Sequence, residues 1–346
     1  MKVAVYTIAL NEESFVSPWV ESARDADYLL IADTGSTDDT VAKARALGVH
    51  VIQISVKPWR FDDARNAALA ALPADIDYCI SLDMDEALQP GWRDALEQTT
   101  CTRPRYEYTW SWNPDGSPGL VYGGDKIHAR HGYRWKHPVH EVLVTDRIEE
   151  TVEWVDLKIH HHPDETKSRG QYLPLLAQSV AEDPWDDRNA HYYARELFLH
   201  GMLGPAAEQF KRHLNLPKAV WKPERAASMR YLAQCEPERA GQWLVQAAQE
   251  APEMREGWVA LAQWHHDTEG WFACYTAAKR ALSITERPLA YLNEAWAWGA
   301  YPYDLAAISA FRLGMVQEAI EYGQTAVSLD PDNERLKNNL VFYQAA

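Results

Sequence analysis

Asp83 and Asp85 stand two residues apart in Ser81-Leu82-Asp83-Met84-Asp85-Glu86, at the end of the apolar run Tyr78-Cys79-Ile80-Ser81-Leu82. If that run is a buried strand, both carboxylates emerge at its carboxyl end, where open α/β sheets bind ligands. Two hard oxygen ligands there suit Mg²⁺ or Mn²⁺, ions that keep open positions for phosphate oxygens. An acidic turn closing a strand would show the same letters, so the surrounding elements decide.

Those elements alternate. Lys2–Leu10 reads as a first buried strand, broken by Asn11-Glu12-Glu13. A second, Tyr28–Ala32, runs into Asp33-Thr34-Gly35-Ser36-Thr37-Asp38-Asp39-Thr40, where Gly35 permits a tight turn and the hydroxyl and carboxylate cluster can cap a helix near Thr40. A third strand, His50–Ile54, precedes a helix over Asp62–Leu72, and Tyr78–Leu82 follows. Strands alternating with helices predict a parallel, doubly wound sheet, and right-handed crossovers then bring the loops after Leu10, Ala32 and Leu82 to one edge.

Asn11-Glu12-Glu13, Asp33-Thr34-Gly35-Ser36-Thr37-Asp38, Ala64-Arg65-Asn66 and Leu82-Asp83-Met84-Asp85-Glu86, in that order, resemble the successive motifs of family 2 glycosyltransferases. These are inverting, nucleotide-sugar-dependent enzymes of the GT-A fold, and the resemblance covers about the first 165 residues. It implies that Asp33 accepts the imide N–H of a uracil, favouring a UDP-sugar, with Glu12 and the backbone near Leu10 lining the same pocket. From the residues alone, Asp33 equally caps its turn. Arg65 would approach the diphosphate, as a guanidinium fork suits; its ordinary reading is a solvated Arg paired with Asp62. A metal on Asp83 and Asp85 would neutralise the leaving diphosphate.

Acceptor chemistry is expected between Arg103 and Pro163. Trp110-Ser111-Trp112-Asn113-Pro114-Asp115-Gly116 reads as a hairpin tip whose indoles either stack on a sugar or fill a core. Lys126-Ile127-His128-Ala129-Arg130 and Tyr133-Arg134-Trp135-Lys136-His137-Pro138-Val139-His140-Glu141 resemble a basic strand and His-Glu pair of the repeat-bearing subgroup of that family. They form either a solvated strand face or an anion clamp. Inverting transfer is one displacement and needs one carboxylate to take the acceptor proton. Glu141 is the candidate base with His140 beside it, and Asp85 and Glu86 are rivals. His160-His161-His162 follows the strand-like Val155–Ile159; adjacent strand residues face opposite ways, so all three cannot bind one ion. The resemblance favours His160 as a third metal ligand, ahead of His162, and an imidazole suits Mn²⁺ more than Mg²⁺.

After Pro163 the strand patterns give way to helical periodicity. Pro302–Ala307, Phe311-Arg312-Leu313-Gly314, Glu318-Ala319-Ile320, Ala326 and Asp330-Pro331 resemble a tetratricopeptide repeat of about 34 residues. Ala306, Ala319 and Ala326 would let two helices approach closely. Weaker copies centre on Tyr193–Leu216 (Gly201, Ala207, Phe210) and Trp258–Ile284 (Gly270, Ala277, Ala281), and a degenerate one spans Arg225–Glu250. The expected fold is therefore an α/β GT-A domain over 1–165 and an all-α solenoid of three to four helical pairs over 166–346. Trp243, Trp258, Trp264, Trp271, Trp296 and Trp298 are read mainly as core filling.

The chain of 346 residues has a formal charge of −16. Residues 1–165 carry 16 basic and 28 acidic side chains, residues 166–346 carry 18 and 22, giving −12 and −4. That disfavours diffuse nucleic-acid binding. Lys211–Arg230, with six cations against Glu224, is the local exception and could dock an anionic acceptor. No apolar run approaches about 18 residues, Met1 leads straight into a strand, and the four cysteines lack metal or redox spacing. These features predict a cytoplasmic protein with reduced thiols, no membrane span and no signal peptide.

Function follows as an expectation: metal-dependent inverting transfer from a nucleotide-sugar to a macromolecular acceptor, protein or peptide first. Hydroxylated bases of nucleic acid, as in viral DNA modification, are a second acceptor class. A repeat scaffold that binds nucleotide-sugar without turnover is a third reading. A nucleotidyltransferase is weakened because Leu10-Asn11-Glu12-Glu13 stands where a Gly-rich phosphate loop would be wanted.

Overall fold

The computed structural model describes residues 1–164 and 170–346. The expected boundary between residues 165 and 166 falls outside the described residues. Contacts divide the chain into two compact units, Met1–Ser179 and Val180–Ala346.

In the first unit the elements run β1 (Val3–Ala9), α1 (Val16–Ser22), β2 (Tyr28–Asp33), α2 (Thr40–Ala46), β3 (His50–Gln53), α3 (Phe61–Ala70) and β4 (Tyr78–Ser81). Next come β5 (Glu86–Leu88), α4 (Trp92–Glu97), β6 (Arg103–Thr109), β7 (Val121–Gly124), β8 (Ile127–Ala129), β9 (Tyr133–Lys136), β10 (Val142–Thr145) and β11 (Val152–His161). Helix α5 (Tyr172–Glu182) crosses the boundary between the units. The main sheet has the order β3-β2-β1-β4-β8, parallel except for β8. A second sheet, β5-β11-β6-β7, and the pair β10-β9 flank it.

The unbroken apolar spelling of β1 follows from burial on both faces. Val3 and Val5 pack in a core with Trp19, Ile80 and Leu82, while Ala4 and Tyr6 pack in another with Leu30, Cys79 and Trp135. Parallel pairing of β1, β2 and β4 brings their carboxyl ends to one edge. Trp19 pins that edge: its indole Nε1 donates to the Leu82 carbonyl at 3.0 Å, one residue before Asp83.

The second unit is all-helical. Four antiparallel pairs follow one another: α6 (Asp187–Leu199) with α7 (Leu203–Leu214), α8 (Lys222–Cys235) with α9 (Ala240–Glu250), α10 (Arg255–Asp267) with α11 (Trp271–Leu282), and α12 (Tyr301–Arg312) with α13 (Val316–Leu329). A terminal α14 (Glu334–Gln344) packs on α13. Each helix meets chiefly its neighbours in sequence, as in a solenoid. Gly201 and Gly314 adopt φ of +72° and +80° and end α6 and α12 in left-handed turns. Alanines let the helices approach: Ala262, Ala278, Ala281, Ala306 and Ala319 are fully buried.

All six tryptophans named above are half-buried, and Trp243, Trp258, Trp264, Trp296 and Trp298 pack against the alanine-rich core. Arg side chains cover several of their faces, as Arg255 covers Trp298 (4.2 Å), Arg239 covers Trp243 (4.8 Å) and Arg312 covers Trp271 (5.1 Å). Three of the six cations in the basic stretch 211–230 are paired with carboxylates. Lys211 pairs with Glu236, Arg225 with Glu250 at 2.6 Å and Arg230 with Glu294 at 2.7 Å.

Each unit buries a neutral histidine. Burial pushes His128 down to about 4 and His191 down to about 3. An unfolded chain would protonate both near 6.5. The stability they contribute is therefore complete above pH 6.5 and declines as pH falls toward those folded values. Thermal unfolding of the full chain is expected to move to lower temperature between pH 7 and 5, before carboxylates titrate. His191→Gln should flatten that decline; an unchanged slope would contradict the assignment.

Candidate active site

The site grows from the end of β4. Asp83, Met84 and Asp85 form a turn closed by the Glu86 N–H on the Asp83 carbonyl at 2.9 Å, and β5 starts at once. Strand β5 pairs antiparallel with β11, setting Glu86 opposite His161 and Ala87 opposite His160. This register decides which histidine meets the acidic pair. Leu157, Ile159 and His161 face inward, and His161 Nε2 lies 3.4 Å from an Asp85 carboxylate oxygen. His160 points the other way, its ring edge-on to Trp112 at 4.8 Å, and His162 stacks on the same indole at 5.8 Å. The expected ligand His160 is thus on the wrong face. The strand runs through His161, and one step of alternation exchanges the two rings.

Asp83 faces different partners from Asp85. Its Oδ1 accepts from Arg65 Nη2 and its Oδ2 from Lys126 Nζ, each at 2.6 Å. Burial opposes ionisation here, but the Arg65 and Lys126 charges override it and hold the Asp83 carboxyl well below the usual carboxylate range. Arg65, on α3 and only 5% exposed, also donates to Ser81 Oγ at 2.9 Å and to Glu141 Oε1. It does not pair with Asp62, whose carboxylate takes a two-pronged contact from Arg60 (3.0 and 2.9 Å). Burial disfavours a charged Lys126, yet Asp83 and Glu86 raise it well above its ordinary value.

Glu86, 2% exposed, is committed as a support. It accepts from Lys126 Nζ (2.9 Å), the Tyr108 hydroxyl (2.6 Å) and the Asp83 N–H (2.9 Å). Glu141 reaches Arg65 because Asn66 locks β9 onto α3. The Asn66 amide donates to the Trp135 carbonyl at 2.9 Å and accepts from its N–H at 2.8 Å. The turn after β9 carries His137 and His140 at φ of +85° and +49°; the His140 ring meets Tyr172 edge-on at 5.5 Å.

The loops after β1 and β2 form the neighbouring rim. The Asn11 side-chain carbonyl accepts from the Thr37 N–H and the Asn11 backbone N–H donates to Ser36 Oγ, both at 2.8 Å. The Glu12 N–H donates to Thr40 Oγ1 at 2.7 Å, and Glu12 is buried while Leu10 is exposed. Asp33, fully buried, accepts from the N–H groups of Gly35 (3.0 Å) and Ser36 (3.1 Å), so its carboxylate shapes the turn.

Among the described residues no three His, Cys, Asp or Glu side chains converge into a ready cage for a cation. Asp85 and His161 offer one carboxylate oxygen and one imidazole nitrogen, the donor set of an ion whose remaining positions go to phosphate and water. The residues fit a divalent ion shared with a diphosphate, not one held by protein alone. Burial opposes protonation of His161, but its hydrogen bond to Asp85 prevails and raises its pKa.

Two participants escaped the sequence reading. His161 was legible in principle, since Leu157-Lys158-Ile159-His160-His161 alternates apolar and polar and puts His161 in the apolar register. Lys126 was noticed only as one of a run of cations; its place beside Asp83 depends on β8 pairing with β4.

The sheet is mostly parallel, with an acidic turn at its carboxyl edge, the buried Arg65 and half-buried Lys126 beside that turn, and a rim of β1 and β2 loops, an arrangement of the GT-A type. Residues 4–99 match the family model Glycosyl transferase family 2, and the chain carries a family 2 glycosyltransferase domain there. It is 31% identical over 97 residues to an uncharacterized glycosyltransferase of Rickettsia conorii, covering 28% of this chain and 33% of the relative. The lipopolysaccharide core biosynthesis glycosyltransferase LpsC of Rhizobium meliloti is 28% identical over 100 residues, 28% of this chain and 37% of that one. The chain therefore spans about a third of the length of these curated relatives. Among solved structures, the tetratricopeptide protein YrrB is 14% identical with a TM-score of 0.40, over 49% of this chain and 82% of that one. Glucosyl-3-phosphoglycerate synthase from Mycobacterium tuberculosis, in complex with Mn²⁺, UDP and glucosyl-3-phosphoglycerate, is 27% identical with a TM-score of 0.27, over 31% and 44%. No described helix is long and apolar enough to cross a membrane.

Proposed function

We propose that this protein transfers a sugar, with inversion, from a nucleotide-sugar to a hydroxyl of a macromolecular acceptor, and that a divalent ion, Mn²⁺ before Mg²⁺, sits on Asp85 and His161. The observation that carries the reading is the 3.4 Å approach of the Asp85 carboxylate to His161 Nε2 at the edge of the family 2 domain, beside Arg65 and Lys126. The ion would supply Lewis-acid neutralisation of the leaving nucleoside diphosphate. Asp83 orients the two cations, which are then available to diphosphate oxygens. The nucleoside lies along the rim of Leu10, Glu12 and Asp33; a UDP-sugar is favoured by the resemblance at Asp33.

Glu141 takes the acceptor proton. Arg65 holds its Oε1, leaving Oε2 as the accepting atom, and His140, at φ of +49°, directly precedes it in the turn. The acceptor oxygen bonds to the anomeric carbon as the bond from that carbon to the diphosphate oxygen breaks, and the electron pair leaves with the diphosphate. The stacked helices of the second unit support a protein or peptide acceptor over nucleic acid, given 16 basic and 22 acidic side chains, a formal −6, over residues 180–346 and the pairing of Lys211, Arg225 and Arg230 with carboxylates. Location in the cytoplasm remains part of this proposal.

Release of nucleoside diphosphate from UDP-, GDP-, CDP- and dTDP-sugars, with Mn²⁺ and a peptide pool or hydroxymethylated DNA, tests it. Glu141→Gln should lower transfer about 10²- to 10⁴-fold while donor binding persists. Full transfer by that variant would remove Glu141 from the role, and no turnover with any donor would favour the non-catalytic scaffold.

A further inference from the structure

The hairpin joining β6 to β7 carries Trp110 and Trp112 beside the site, and the indoles do not stand free as a sugar platform. Trp110 is half-buried and lies flat on His161, with ring centroids 4.3 Å apart and planes 15° apart. The Trp110 carbonyl also lies 2.9 Å from His161 Nδ1. A carbonyl oxygen only accepts, so Nδ1 carries the hydrogen and Nε2 is the nitrogen directed at Asp85. Trp112 secures the backbone of the same residue: its Nε1 donates to the His161 carbonyl at 3.0 Å. On the far side of the turn, the His162 N–H donates to the Asp85 carbonyl at 2.7 Å. His161 is thus fixed by ring stacking, by its second nitrogen and by its peptide carbonyl, and two of those three restraints come from Trp110.

The hairpin is closed by its own backbone hydrogen bonds. The Trp110 N–H donates to the Leu120 carbonyl at 2.8 Å, Trp112 bridges to Pro118, and the Gly116 N–H closes the tip on the Asn113 carbonyl at 2.9 Å. A hairpin that holds one imidazole by its face and its Nδ1, and the same residue by its peptide carbonyl, is what an ion with few protein ligands requires, because each ligand must be held in place by its neighbours.

We propose that Trp110 and Trp112 are positioning residues for His161, setting its ring plane and its Nε2 toward the ion shared with Asp85. The proposal rests on the reading of Asp85 and His161 as ion ligands given above. Trp110 acts through its carbonyl and its indole face, Trp112 through its indole N–H, and neither needs to touch substrate.

The test measures Mn²⁺ binding to the full chain in the presence of UDP by electron paramagnetic resonance, with the ¹⁴N coupling of a bound imidazole read by pulsed methods. Trp110→Leu, which removes the stacked ring and keeps the carbonyl on Nδ1, should weaken Mn²⁺ binding about 10-fold, the low end of the cost of disturbing an outer partner of a ligand, and should alter the ¹⁴N coupling. Trp112→Phe keeps the aromatic ring, removes only the N–H bond, and should weaken binding to a lesser degree. Trp154→Phe, at an exposed indole of β11, should match wild type in both readouts. Far-ultraviolet circular dichroism confirms folding; if Trp110→Leu fails to fold, Trp112→Phe decides. Folded variants that bind Mn²⁺ as wild type does, with an unchanged coupling, would overturn the positioning role alone. A wild-type protein without Mn²⁺ binding, or one whose bound Mn²⁺ shows no ¹⁴N coupling, would overturn the ligand reading and this inference with it.

Discussion

Replacing Arg65 with methionine is expected to destabilise the first unit by about 3 kcal/mol, the scale seen when one partner of a buried ion pair is removed. Arg65 is almost fully buried and serves Ser81, Asp83 and Glu141 together. Without it Glu141 loses its guanidinium partner, and Asp83 keeps only Lys126. For a unit of this size the melting temperature should fall by about 6–12 °C. Arg65→Lys should recover only part of the loss, because an ammonium cannot span three acceptors in a planar fork. Scanning calorimetry of the full chain checks this; a melting temperature within about a degree of wild type in Arg65→Met would show that the network contributes little to folding.

Asp85→Ala is expected to lower sugar transfer by about 10³-fold, since Lewis-acid stabilisation of a leaving diphosphate contributes several kcal/mol and each 1.36 kcal/mol is a factor of ten. Stability should change little, because Asp85 sits in a turn at the sheet edge and shares its side chain with His161. The histidines supply the sharper contrast. His161→Ala should reproduce most of the Asp85→Ala defect and His160→Ala should not, since only His161 shares a face with Asp85. Initial rates at saturating Mn²⁺ distinguish them; equal losses in both histidine variants would mean that strand register does not select the ligand.

What could be read from the sequence was what depends on local pattern. The continuous apolar runs of β1, β2 and β4 gave the parallel sheet, and the spacing of small residues with Gly201 and Gly314 gave the helical pairs. Charge partners were not legible, because they depend on which strands become neighbours. Lys126 reaches Asp83 only because β8 turns antiparallel onto β4, and Arg65 reaches Glu141 only because Asn66 fastens α3 to β9. The triple histidine shows the limit at finer scale. Ending the strand at Ile159 left its parity unused, although Leu157 and Ile159 already marked the inward face. The tryptophans of the second unit follow their size: Trp243, Trp258, Trp264, Trp296 and Trp298 pack half-buried against the alanine-rich core.

A nucleotide-sugar held through an ion on Asp85 should stabilise the fold only when both the ion and that carboxylate are present. Thermal unfolding of wild type and Asp85→Ala, with UDP-, GDP-, CDP- and dTDP-sugars and with or without Mn²⁺, tests it most directly. Ligand at about a hundred times its Kd adds about 2.7 kcal/mol to the folded state. The expected result is a shift for one nucleotide class, present only with Mn²⁺ and lost in Asp85→Ala. An equal shift without Mn²⁺, an equal shift in Asp85→Ala, or no shift with any of the four would contradict it.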